Sequence, residues 1–107
     1  MLVVASGLNY SRYGGIVVGR YNTTGGIFAS VSGGLGGASS GHDASISGGD
    51  TNTASGNQSP VSGGHTNTAN GNYASVCGGL GNVASGDFSS LNGKSHNTAT
   101  GTAQNLP

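Results

Sequence analysis

The sequence predicts an all-β fold, a parallel β-solenoid built as a two-sheet roll with 15-residue coils. Three observations predict it. Gly48–Gly49, Gly63–Gly64 and Gly78–Gly79 recur every fifteen residues, as do Asn52, Asn67 and Asn82, and Ala54, Ala69 and Ala84. That period is too short for a pair of helices and fits one solenoid coil. An aliphatic series, Ile16, Val31, Ile46, Val61, Val76, Leu91 and Leu106, keeps the same interval along the chain. A residue type repeated at that interval reads as a core ladder. Finally, 23 glycines, no tryptophan and 6% charged residues leave only a thin core of small side chains. Two prolines and no Gly-X-Y triplet exclude collagen, and the strict period argues against disorder.

In chain order, residues 1–11 read as an irregular N-terminal part-coil or cap and residues 12–107 as the repeat domain. Coils begin near Val18, Gly33, Gly48, Gly63, Gly78 and Asn92–Gly93, giving about seven. At the ~4.8 Å spacing between strands they make a rod of roughly 30–35 Å. Within one coil the alternation predicts a strand over 51–55, a turn at 56–58, a second strand over 59–62 and a return at 63–64. Faces alternate along a strand, so Asn52 and Ala54 point inward while Thr51, Thr53 and Ser55 point outward. Glycines at the corners supply φ > 0 and close backbone approach. Asn22, Asn52, Asn67, Asn82 and Asn97 share one inward position, with Gly37 the gap. A buried amide needs partners, and stacked asparagines find them along the ladder, so this row reads as structural.

Charge and apolar content exclude several function classes. Arg12, Arg20 and Lys94 balance Asp43, Asp50 and Asp87. Three scattered cations do not make a phosphate-binding face, so no nucleic-acid partner is expected. No apolar run nears the roughly twenty residues of a membrane span, so no membrane insertion is expected. The start, Met1 to Gly7, lacks the basic flank and apolar length of a secretory signal. The chain therefore reads as cytosolic, or as a fragment whose export signal lies elsewhere. Cys77 stands alone and takes the place of Ser32, Ser47 and Ser62, which makes it an exposed surface position with an intermolecular disulfide as its one covalent option.

No chemical motif survives inspection. His42, His65 and His96 fall at three different places in the repeat, so stacking does not gather them into a metal site, and His42-Asp43 reads as a chance pair on a turn. Gly78-Gly79-Leu80-Gly81-Asn82 lacks the Asp and the nine-residue period of a calcium roll. The glycine spacing at 79–84 precedes no helix, as a dinucleotide site requires. The serines are numbered by the repeat rather than by chemistry, and no nucleophile with base and orienting group is evident. No cofactor, metal or catalytic residue is expected, and the chain reads as non-enzymatic.

The outward rows remain. Thr51 and Thr53, then Thr66 and Thr68, place paired threonines on consecutive coils, with Thr23 and Thr98 in register beyond them. Such a face is a candidate binding surface, for ice among other extended ligands. Its bland reading is that Thr and Ser suit an exposed strand. Tyr13, Phe28, Tyr73 and Phe88 share one turn position, where they pack along the edge or between parallel rolls.

The segments Asn52-Thr-Ala-Ser-Gly56, Asn67-Thr-Ala-Asn-Gly71 and Ala74-Ser-Val-Cys-Gly78 resemble the head repeats of YadA-type trimeric autotransporter adhesins, over roughly residues 12–107. The resemblance implies left-handed winding, an extracellular or cell-surface location, frequent homotrimers and a surface that binds host matrix or other cells. The matching stretch contains no neck, coiled-coil stalk or membrane anchor. The half-coil pattern is also similar to the grass-type ice-binding roll, with Ala where that family has Val. Three functions follow as expectations: a rigid structural or binding module of an adhesin head or fibre, an ice-binding protein, and a filament subunit stacked end to end through strand edges.

Overall fold

The computed structural model describes residues 2–4, 7, 9–10 and 15–107. Every strand is parallel to its neighbours, in one eight-stranded and one seven-stranded sheet whose order follows the chain. Successive strands alternate between the two sheets, so each coil adds one rung to both. Two strands per coil agree with the expected count of about seven coils. The long dimension, 35 Å, matches the stacking of such rungs.

Strands are mostly two residues long, such as Thr53–Ala54 and Pro60–Val61, because two corners consume the rest of a fifteen-residue coil. Register pairs residues fifteen apart: Ala54 with Ala69, Ala69 with Ala84, Ile46 with Val61, Val61 with Val76. Val31, Ile46, Val61, Val76 and Leu91 are all buried and form one cluster with Ala54, Ala69, Ala84 and Ala99, while Leu106 packs against it half-buried. Ala29, Ala44, Ser59, Ala74 and Ser89 are buried too. Only small side chains at those positions allow two sheets this close.

Ile16 does not belong to the aliphatic ladder. It is 40% exposed, whereas Val17 is fully buried and pairs with Val31. The cause is a corner one residue short. Asn22 Nδ2 donates to the Val18 carbonyl, as Asn52 Nδ2 donates to that of Gly48, so Val18 stands where later coils have the first glycine of a pair. Val17 is therefore separated from Val31 by fourteen positions and not fifteen. A one-residue slip exchanges inward and outward faces. Val17→Ala is expected to lower stability by about 1–3 kcal/mol, and Ile16→Ala by less than about 0.5 kcal/mol, in urea denaturation. Equal effects would reverse this assignment.

Leu2–Val4 pairs with Ile16–Val18, and Asn9–Tyr10 with Thr23–Thr24, so the described parts of the stretch 1–11 are rungs of the roll. The rest of that stretch, the boundary at residues 11–12 and Tyr13 lie outside the described residues. Pro60 has no N–H to give to the next coil, and the neighbouring Ser45 bond to the Ser59 carbonyl lengthens to 3.4 Å.

Candidate functional site

The inward asparagines form a continuous hydrogen-bonded column. The Asn67 N–H donates to Asn52 Oδ1, Asn82 N–H to Asn67 Oδ1 and Asn97 N–H to Asn82 Oδ1, each at 2.9 Å. Each amide nitrogen turns to the corner: Asn67 Nδ2 donates to the Gly63 carbonyl at 2.9 Å and the Gly79 carbonyl at 3.0 Å. One side chain thus joins its own coil to the next. Asn22 acts alike, its Oδ1 receiving the Gly37 N–H at 2.7 Å. Asn22, Asn52, Asn67 and Asn82 close the backbone accounting of a corner with both side-chain polar atoms, whereas Asn97, at the end of the column, reaches only the Pro107 carbonyl at 3.4 Å.

Both corners depend on left-handed backbone. At one, Tyr21, Thr51, Thr66 and His96 have φ between 54° and 58°; at the other, Phe28, Asp43, Gln58, Tyr73, Phe88 and Ala103 lie between 50° and 59°. The positive φ turns these N–H groups back to the preceding coil: Thr66 N donates to the Asp50 carbonyl and Tyr73 N to that of Asn57. Corner glycines supply φ > 0 as expected at Gly34, Gly49, Gly64 and Gly79, between 86° and 90°, and in the row of Thr51 glycine itself stands at Gly36 and Gly81. The other positions of these two rows are held by residues with side chains, which accept the strain. At the second corner, glycines such as Gly56 serve close approach instead: a Cβ there would lie 2.1 Å from the Gly71 carbonyl oxygen.

This backbone divides the expected threonine face. Thr23, Thr53, Thr68 and Thr98 stay in one strand row, completed by Ala38 and Val83. Thr51 and Thr66 sit on the corner, where the positive φ breaks the alternation that would have set them beside Thr53 and Thr68. Their hydroxyls are occupied as well: Thr51 Oγ1 donates to Asp50 Oδ1 at 2.6 Å, and Thr66 Oγ1 lies 3.0 Å from His65 Nδ1. The outward neighbour of Thr53 is Ser55, giving a second exposed row of Ser40, Ser55, Asn70 and Thr100. The opposite face carries Ser30, Ser45, Ser75 and Ser90, with Ser32, Ser47, Ser62 and Cys77 exposed beside them.

Comparison with protein-family models, with curated proteins and with solved structures finds no match for this chain. Its chemistry is therefore read from its own side chains. Isolated parallel bridges join Arg20, Leu35, Asp50, His65, Leu80 and Ser95 into a third ladder along the first corner. There His65 Nε2 comes 3.6 Å from Asp50 Oδ2 on the coil before. Thr66, His65 and Asp50 thus follow the order hydroxyl, imidazole, carboxylate of a nucleophile relay. They stand about half exposed on a convex edge, and among the described residues no pocket adjoins them to orient a substrate. His42 Nδ1 meets Asp43 Oδ2 at 2.7 Å on the other corner, also in solvent. Among the described residues no three His, Cys, Asp or Glu side chains converge, and no helix is long and apolar enough to cross a membrane.

The second corner holds two further rows. Tyr73 and Phe88 stack with centroids 4.9 Å apart at 4° between planes, packing along the edge of one roll, while Phe28 meets His42 edge-on at 6.0 Å. Phe88 is still 58% exposed. Asn57, Asn72 and Asp87 form an outer column, Asn72 N–H donating to Asp87 Oδ1 at 3.0 Å and Asn57 N–H to Asn72 Oδ1 at 3.3 Å. Sequence reading passed over this column, although its fifteen-residue spacing is visible.

Proposed function

We propose that this chain is a non-enzymatic, rigid module of an adhesin head or surface fibre, working at the cell exterior by presenting its two outward faces to an extended ligand. The observation that carries this reading is the superposition of rungs along a 35 Å roll, with short uncharged side chains in line on both faces. The resemblance of the NTASG repeats to YadA-type heads supports it, and so does the occupied interior, where Val, Ala and Asn columns fill the space a small molecule would need. Burying a side chain costs rotamer entropy, and Ser and Thr have little to lose, so such faces suit broad low-cost contact. Sedimentation of the purified chain tests the assembly: a trimer that also adheres to matrix-coated surfaces is the expected result, and a monomer that adheres to nothing removes the reading.

A second reading, ice binding, has one favourable observation: Thr53 and Thr68 are direct partners on adjacent rungs of a strand row that also holds Thr23 and Thr98. It predicts thermal hysteresis that disappears in a Thr53→Lys/Thr68→Lys variant and persists when Thr51 and Thr66 are changed. No hysteresis in the parent chain would end it.

A further inference from the structure

The chain contains two Asn-Gly pairs, Asn70-Gly71 and Asn92-Gly93, each with an exposed asparagine. The fold treats their glycine nitrogens oppositely. Gly71 is buried, its N–H donates to the Ala84 carbonyl at 3.1 Å, and a Cβ on it would stand 2.4 Å from the Gly86 carbonyl oxygen. Gly93 lies at a corner where an added Cβ would meet nothing within 4 Å, and its N–H has no backbone acceptor among the described residues. One nitrogen is locked into the rung ladder. The other is free.

We propose that Asn92-Gly93 is a self-modification site, where the backbone closes to a succinimide and introduces a carboxylate into an uncharged face, while Asn70-Gly71 is protected by its coil. The Gly93 nitrogen attacks Asn92 Cγ, the new N–Cγ bond forms as Cγ–Nδ2 breaks, and ammonia leaves with the proton from the Gly93 amide. Water then opens the ring at either carbonyl, giving an aspartyl or isoaspartyl residue at position 92. Nothing but water is consumed. Attack requires the glycine nitrogen to be out of a ladder bond, which holds at Gly93 and not at Gly71. It also requires the local backbone to rotate, for which Gly93 has open space where Gly71 has the Gly86 carbonyl. That rotation works against the bonds of the Asn92 N–H to the Leu106 carbonyl at 3.1 Å and of Asn82 Nδ2 to the Gly93 carbonyl at 3.2 Å.

The position gives the reaction consequences. Asn92 stands in the outward row after Ser32, Ser47, Ser62 and Cys77, with its Oδ1 3.8 Å from Cys77 Sγ. The aspartyl product places a negative charge there. The isoaspartyl product routes the backbone through Cβ, adding about 1.5 Å of chain between Leu91 and the last coil. That offset opposes the Leu91–Leu106 and Ala84–Ala99 registers, so the terminal coil loosens first.

Neutral hydroxylamine, which cleaves the chain at succinimides, tests this on the folded full chain. The expected result is cleavage between residues 92 and 93 at least about tenfold faster than between 70 and 71, because cleavage at the second pair waits for local opening. In denaturant the two sites cleave at comparable rates. The Asn92→Ser variant, which carries the serine of the preceding coils, folds and resists native cleavage at 92–93. Equal native rates at the two pairs, or a folded chain uncut at 92–93, overturns the proposal.

Discussion

Asn67→Ala is expected to destabilise the roll by about 2–5 kcal/mol, one of the largest effects of a single side-chain truncation. The side chain satisfies three backbone groups: the Asn82 N–H and the carbonyls of Gly63 and Gly79. Alanine leaves the Asn82 N–H and the Gly63 carbonyl without a protein partner, while the Gly79 carbonyl keeps the His65 N–H at 3.0 Å, and each orphaned group costs about 1–3 kcal/mol. Asn67→Asp separates the two halves of the role, keeping an acceptor for Asn82 while facing the two carbonyls with a charge, so it is expected to be no milder. Asn97→Ala is the control. Its amide reaches only the Pro107 carbonyl, at 3.4 Å, and its loss is expected to cost less than about 1 kcal/mol. Urea denaturation followed by circular dichroism measures all three. Because coils contact only their neighbours, the Asn67 variants also divide the transition into two blocks. An Asn67→Ala protein as stable as the parent would mean that the column does not hold the corners.

The second large effect separates adjacent glycines. Gly49→Ala is expected to cost about 3 kcal/mol or more, whereas Gly48→Ala is expected to change stability by no more than about 0.5 kcal/mol. Gly49 has φ of 87°, and a Cβ there would stand 2.3 Å from the Gly64 carbonyl oxygen and 2.6 Å from Asn52 Nδ2. Both strain and overlap act together, and relieving the overlap would break the Asn52 bonds to the corner. At Gly48 the added carbon meets nothing within 4 Å. Thermal denaturation of the two variants side by side decides the matter. Equal tolerance would show that coils approach less closely at this corner than the geometry requires.

Much of this architecture is legible because a fixed period converts sequence distance into spatial neighbourhood. Val61 and Val76, or Asn67 and Asn82, become partners on adjacent rungs for no reason beyond their spacing. The alternation rule also holds inside the strands: Asn52 and Ala54 are buried, while Thr53 between them faces out. What the rule misses begins at the corners. Thr51 reads as a strand residue beside Thr53, yet its φ of 58° takes it off that face, and His65 reaches Asp50 only because both lie on a corner ladder absent from any strand pattern. Both expected threonine pairs, Thr51 with Thr53 and Thr66 with Thr68, therefore span a bend. Asn57, Asn72 and Asp87 keep the fifteen-residue spacing, yet polar residues on a turn carry no apolar signal, and only the corner geometry shows that their side chains bond from coil to coil.

By itself the sequence determined which residues lie above one another, since a repeat of constant length admits one axial neighbour for each position. Tertiary structure alone decided which way the corner residues face and how the first coil enters the stack. Facing depends on the sign of φ, and glycine, threonine, tyrosine and phenylalanine all occupy the left-handed well here once the column of hydrogen bonds rewards it. At the entry, a corner one residue short set Val17 inside and Ile16 outside, a choice between two aliphatic neighbours that only packing distinguishes.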